Sequence, residues 1–214
     1  MDQEATSVSL VAPPIPGLTF DPESHTYTYN GVVLPNVTQV ISPVDDWSFL
    51  DDDEKVWYAG RGTAVHLASA LNDLGDLVEE SVHESIMGFL VSWRRLLMSD
   101  AIALLSVEER ICHEALGYAG TLDRRATIND RHAVIDLKAG VQRASHGVQV
   151  YGYRRGWNSR HSRPEWIQDC YTVYLQKDGS QAKLVPWTDA LHDSEFVALL
   201  THHKWRQRYA TRSH

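Results

Sequence analysis

Apolar and polar positions along the chain change period several times, and each change marks an element. From Arg61 to Leu74 the stretch RGTAVHLASALNDL sets Ala64, Leu67, Ala68 and Leu71 at spacings of three and four, which predicts a helix with one apolar face. A second such run, near residues 80–98, carries Val82, Ile86, Phe89, Leu90, Trp93 and Leu97. The period then shortens. AIALLSVEERICHE alternates imperfectly, and YAGTLDRRATI and HAVIDLK alternate around NDR, so three successive strands in a meander are predicted. SHGVQVYGYRRGWN returns to helix. QDCYTVYLQKDG is a further alternating strand ending at an Asp-Gly turn, and DALHDSEFVALLTHHKWRQRY is a long C-terminal helix. Ahead of these, HTYTYNGVVLP interleaves His25, Tyr27 and Tyr29 with threonines and carries Asn30-Gly31, which predicts a hairpin near residues 25–35. NVTQVIS starts a short helix or strand. Asp51, Asp52 and Asp53 suit a solvated helix start. Residues 1–24, with APPIPG, are expected to form an extended arm before a single domain over 25–214. This order implies an α/β fold, a central mixed β-sheet flanked by helices, because a helix carries the chain from the third strand across to another.

A hydrophobic content of 43% over 214 residues is enough for the core of one such domain. The formal charge of −8 excludes a wholly basic nucleic-acid coat but not a local basic patch, and clustered acids are also where hard metals bind. With only Cys112 and Cys170, an all-cysteine iron–sulfur or structural zinc site within the chain is excluded, and the two thiols fit a reducing compartment. No run of about 18 apolar residues occurs. MDQEATSVSL has no basic stretch ahead of an apolar run, so no signal peptide is expected. The expectation is a cytoplasmic protein with no membrane partner.

The chemistry concentrates in AVIDLKAG, residues 133–140, where an acid and a base interrupt a stretch otherwise fit for a buried strand. A period of two puts Asp136 and Lys138 on one face and Ile135 and Leu137 on the other. If residues 121–128 pair with 132–138, Asp123 comes near Asp136 at one end of the sheet. Two converging carboxylates need a shared proton or a cation, and Mg²⁺, which takes oxygen ligands and keeps waters, suits such a pair. Lys138 could then orient or activate a metal-bound water or offset charge on a phosphoryl oxygen; otherwise it is a strand-end ion pair that stabilises little. Gly120 allows close approach at this corner. Glu108 and Glu109 face opposite ways on the preceding strand, so only one can point into the site. Glu114 competes with them but falls in a connection. On the helix that follows, His146, Gln149 and Tyr153 share a face, with Arg154 and Arg155 next in sequence, and such groups can hold a phosphate or a base. His66, one turn beyond Gly62, is either a packing residue or a ligand.

The fragments RGTAVH, SVEERI, GYAGTLD, VIDLKAG and HGVQVYGY, in that order, resemble the PD-(D/E)XK nuclease superfamily, in its exonuclease-like branch of phage, mitochondrial and bacterial recombination enzymes. LPNVTQVIS also resembles the PSVT segment of phage members, with Asn36 in place of serine, and the likeness covers about residues 25–175. The resemblance implies a restriction-endonuclease-like core. It implies that His66, Asp123, Asp136 and the Leu137 carbonyl hold one or two Mg²⁺ or Mn²⁺ ions, with Glu108 as a further acid, Lys138 as the catalytic lysine, and Gln149 and Tyr153 as the helix pair. Arg154 and Arg155 are expected to join that pair on the substrate. The expected activity is hydrolysis of phosphodiester bonds at DNA ends, in DNA recombination, repair or processing in a bacterium or phage-infected cell, with a homo-oligomer or a recombination partner possible. An endonuclease of the same fold and a non-catalytic DNA-binding or assembly protein are the alternatives. Asp136 stands where many relatives carry glutamate. No GxxxxGK[ST] phosphate loop is present, so ATP-driven unwinding would need another chain.

Overall fold

Asn30 and Gly31 both adopt positive φ, 48° and 82°, the geometry that lets a two-residue turn join antiparallel strands. They link β2 (Thr26–Tyr29) to β3 (Val32–Leu34), the expected hairpin. The computed structural model describes residues 9–45, 47–48, 50–99 and 102–209, so the first eight residues of the expected arm, and Ala101 at the start of the first meander strand, lie outside the described residues. One correction falls on the arm. Leu18–Asp21 form a strand, β1, paired with β2 in a three-stranded sheet. Leu18 is buried, and the Asp21 carboxylate fixes the turn that follows by accepting from the Glu23 N–H and the Ser24 hydroxyl.

NVTQVIS forms a helix, α1 (Val37–Ile41). Asn36 caps it by accepting from the Gln39 N–H at 2.8 Å, and the Gln39 side chain accepts from the Asn36 N–H at 3.0 Å. α2 (Asp52–Leu74) is longer than the predicted helix. It starts at the acidic run, with Asp51 as its cap, passes through Gly60 and Gly62, and stops at Gly75, whose φ of 78° suits a C-terminal cap. Val65, Ala68, Ser69 and Ala70 are its buried residues, whereas Leu67, expected inside, is 58% exposed. α3 (Glu84–Ser99) follows.

β4 (Ile102–His113), β5 (Tyr118–Ile128), β6 (Arg131–Lys138), β7 (Asp169–Tyr174) and β8 (Lys183–Pro186) form a second sheet in that spatial order. The first three are the antiparallel meander. β6 then crosses through α4 (Ser145–Asn158) to pair parallel with β7, and β8 closes the edge antiparallel. β8 was not expected: four residues with no fully buried position carry too little alternation to announce a strand. α5 (Leu191–Tyr209) is the C-terminal helix.

The sheet separates two cores. On one face α1, α4 and α5 pack Val40, Trp157 and Phe196 around Ile111, Leu122 and Val134. On the other, α2 and α3 pack Val65, Phe89 and Trp93 around Ile135, Leu137 and Val173. The fold is therefore α/β, a central mixed sheet flanked by helices. Among the described residues no helix is long and apolar enough to cross a membrane.

Candidate metal centre

β5 and β6 part company at the residues that carry the chemistry. Their ladder ends at Arg124↔Ile135, while β6 goes on pairing with β7 as far as Lys138↔Tyr174. Asp123 occupies the resulting notch with its side chain, and its Oδ2 accepts from the Leu137 N–H at 2.6 Å. On β4 the pairs Val107↔Arg124 and Glu109↔Leu122 set Glu108 across from Asp123. Glu108 has a φ of 50°, in the left-handed region, where a non-glycine residue loses about 1 kcal/mol or more. β5 also turns over here. Leu122 sits in the core under α4, but Arg124, two residues on, hydrogen-bonds to α2 on the opposite face. Backbone irregularity of this kind clusters at functional sites.

α2 brings His66 over the notch, with Nδ1 3.4 Å from Asp123 Oδ1. One donor atom from each of His66, Glu108 and Asp123 lies within 4.8 Å of the other two. One imidazole and two carboxylates make a nitrogen–oxygen donor set that suits a divalent ion retaining some of its water.

The electrostatics point the same way. Burial works to raise the Asp123 carboxyl, but the His66 imidazole, Lys138 and the Leu137 N–H outweigh it and hold Asp123 at the low end, about 2. Burial works to lower His66, and the Asp123 carboxylate overrides it and raises the ring. Burial and the charge on Asp123 push Glu108 up to about 7, against the pull of Arg124. Asp136 is also raised, by burial and by Asp123, although Lys138 opposes the shift. The cluster resists full ionisation by itself, and a bound cation relieves that resistance.

Asp136 and Lys138 stand beside this trio. Lys138 Nζ lies 2.9 Å from Asp136 Oδ2, and burial of the lysine is outweighed by the two aspartates, so the ammonium is held charged. Asp136 Oδ2 is buried and makes no well-aligned hydrogen bond. Leu137 engages Asp123 through its N–H, and its side chain belongs to the α2–α3 core.

The neighbouring acids divide as alternation requires. Glu109 is buried on the far side with Ser106 and Arg125, and Glu114 pairs with Arg160. From α4, Gln149 Nε2 donates to Tyr153 Oη at 3.1 Å, and both line the cleft above the notch. A Cβ on Gly120 would come within 3.1 Å of the Tyr153 ring and 3.2 Å of the Val37 side chain, so the close approach at that glycine is made by α4 and α1 together. His146 meets Tyr174 Oη at 2.8 Å, and burial together with Lys138 lowers it to about 3, so it is neutral. Arg154 and Arg155 lie apart from these groups. Neither lines the cleft: Arg154 lies over the Tyr151 ring and Arg155 pairs with Asp193 of α5, because one and two positions past Tyr153 a helix has turned away from Tyr153's face.

Sequence reasoning missed Arg124. It is fully buried, donating to Asp73 Oδ2 at 2.6 Å, Ser69 Oγ at 3.1 Å and the Asp123 carbonyl at 2.7 Å, and it reaches Glu108 Oε1 at 3.3 Å. Its place beside Asp123 in GTLDRR was the only available signal, and strict alternation would have pointed it away from the site. The cleft occupies about 1300 Å³ between α2, α1 and the segment after β6. Arg61 of α2 reaches across to the Ala139 carbonyl at 2.9 Å, tying two of its walls together.

No family model matches the chain, and no curated protein matches it. Among solved structures, the crystal structure of SSO0001 is similar at 15% identity, covering 80% of this chain and 75% of that one, with a TM-score of 0.36, too distant to assign a fold or an activity.

Proposed function

We propose that the chain is a metal-dependent deoxyribonuclease of the PD-(D/E)XK kind that hydrolyses phosphodiester bonds at DNA ends. The observation that carries this reading is the convergence of His66, Glu108 and Asp123 within 4.8 Å, beside the Asp136–Lys138 pair on the next strand. A divalent ion held by the trio would activate a water and offset charge on the scissile phosphate. The chain's own groups supply placement. Asp123 is fixed and ionised by the Leu137 N–H and His66. Asp136 tethers the Lys138 ammonium in the cleft, where it can orient the attacking water or stabilise a phosphoryl oxygen. Gln149 and Tyr153 present an amide and a hydroxyl to the strand being cut. The Arg61–Ala139 tie supports end dependence, since a bridge across the cleft hinders entry of a strand from its side.

The test incubates end-labelled linear DNA, with and without unpaired tails, and covalently closed circles with Mg²⁺ or Mn²⁺. Cleavage of linear DNA alone, abolished by EDTA and by Asp123→Asn, is expected. Cutting of circles would replace this reading with the endonuclease one. Failure to cut any DNA, with the protein folded and metal bound, would overturn the nuclease reading.

A further inference from the structure

On the side of β4 and β5 turned away from the metal centre lies a second pocket, of about 420 Å³, a size that suits a small molecule. Glu108 and Arg124 serve the metal-centre side, and Glu109 and Arg125, next on each strand, line this pocket. Residues 9–16 run across it as a strap. The strap is tied to β4 where the Leu10 carbonyl accepts from the Val107 N–H at 3.0 Å, and its Pro13, Pro14 and Pro16 belong to the lining. Guanidiniums outnumber carboxylates here, with Arg110, Arg125 and Arg160 against Glu109. Glu109 is buried and satisfied, accepting from the Ser106 hydroxyl and from Arg125 Nε, the latter at 3.1 Å. Arg160 pairs with Glu114, which lies outside the lining. Arg110 is exposed, 5.3 Å from the Phe20 ring centre, and joins no ion pair among the described residues. Arg125 is held in place twice over. Glu109 takes its Nε, and its guanidinium lies 4.3 Å from the ring centre of Trp157, which donates to the Glu165 carbonyl at 3.2 Å and stacks on His161 at 3.5 Å. Its two Nη groups have no hydrogen-bond partner among the described residues. The negative end of the α4 dipole is also near, but the Arg155 carbonyl accepts from the Ser159 N–H, and the Trp157 carbonyl from the Arg160 N–H and the His161 ring. Arg110 and Arg125 are therefore the groups with donors to spare.

We propose that this pocket binds a small phosphate monoester, with its phosphoryl group on Arg110 and Arg125 and its carbon body against the proline-rich strap. The site is separate from the metal centre, and the assignment does not depend on the nuclease reading. A guanidinium fixed by its neighbours with both Nη groups free is a ready fork for two phosphoryl oxygens. The three guanidiniums come from β4, β5 and the segment after α4. Cations from three directions suit a tetrahedral anion better than a carboxylate, whose two oxygens lie in one plane. The pocket also exceeds the volume of a phosphate ion, which leaves room for an organic group. The prolines on the strap side have no N–H to offer, so the part of the ligand that meets them is apolar. A chain of formal charge −8 repels anions at large, so a local excess of unpaired guanidinium is what directs one to this pocket.

The test is isothermal titration calorimetry of the full chain in EDTA, so that no ion at the metal centre holds an anion. Thymidine monophosphate, inorganic phosphate and thymidine are titrated in turn. The monoester is expected to bind with a Kd of about 100 μM or below, inorganic phosphate more weakly, and thymidine not at all. Arg110→Gln removes an exposed side chain and leaves every ion pair of the pocket in place. It should weaken the monoester at least ~10-fold, the size of one lost charge-assisted hydrogen bond. Arg125→Gln is made together with Glu109→Gln, so that no buried charge is stranded, and should weaken it likewise. Lys138→Ala, which removes an ammonium of the cleft, should bind the monoester like the parent. Thymidine bound as tightly as its monophosphate, no binding of the monoester, or binding lost in Lys138→Ala and kept in Arg110→Gln overturns the assignment.

Discussion

Asp123 holds its position through a backbone N–H, that of Leu137, which leaves its other oxygen facing His66 3.4 Å away. Glu108 is the member of the trio whose charge depends most on conditions, because burial and Asp123 raise it to about 7. A carboxylate must lose its proton to bind a cation, so below that value binding expels a proton and is weakened. Mn²⁺ affinity should therefore climb as pH rises from about 6 to 8, by up to about 10-fold per unit for each proton displaced, since the His66 ring, raised by Asp123, must lose its proton too. Calorimetry in buffers of different ionisation enthalpy reads the proton release, and Glu108→Gln should reduce it and make the climb shallower, leaving the part that belongs to His66. Lys138 acts on the reaction more than on the ion. Lys138→Ala should leave Mn²⁺ affinity nearly unchanged and lower the single-turnover cleavage rate at least ~100-fold; a parental rate would leave the lysine as an ion-pair partner only. At this scale the sequence was informative where chemistry and period coincide. Asp136 and Lys138 share a face by alternation, and Glu108 was separable from Glu109 by the same rule. Arg124 and Arg155 were not readable, because their partners Asp73 and Asp193 lie 51 and 38 residues away in the chain.

The elements around the site are locked by one buried ion pair. Arg124 of β5 and Asp73 of α2 are both fully buried, and Asp73 also accepts from Trp93 Nε1 of α3 at 2.9 Å. This network joins β5 to both helices of one face, and through the Glu108 contact it supports β4. Removing one partner strands a buried charge, so Arg124→Leu should cost about 3–5 kcal/mol, read as a lower urea midpoint with an unchanged slope. A loss within the range of an ordinary surface change would mean that the pair is replaceable by packing. Long elements were legible because their periods persist over ten or more residues, as in β5 and α4. The short strands β1 and β8 were not, since four residues offer two positions per face. α2 was read with its apolar face rotated. Leu67 was placed inside by hydrophobicity, but Ser69 and Asn72 take the inner positions because Arg124 and Arg94 hydrogen-bond to them there, which leaves Leu67 to the cleft.

For the whole molecule, the order of elements foretold an α/β fold with a mixed sheet, since the α4 crossover obliges β6 and β7 to run parallel. The walls of the cleft were not foretold. Tyr58, Trp47 and Arg143 come from three separate segments, and only the assembled fold brings them to one opening. With a formal charge of −8, and with three strands and α2 directing carboxylates and an imidazole to one notch, the fold has a divalent ion to gain. Mn²⁺ at about 100 times its Kd should add about 2.7 kcal/mol of stability, which for a chain of this size raises the melting temperature by about 5–10 °C. EDTA should reverse the gain, and Asp123→Asn should not show it. The most direct measurement is anomalous diffraction from crystals soaked in Mn²⁺. The expected map has a peak ~2.0–2.3 Å from a His66 ring nitrogen and carboxylate oxygens of Glu108 and Asp123. A peak held elsewhere, or none at saturating Mn²⁺, would contradict the metal centre.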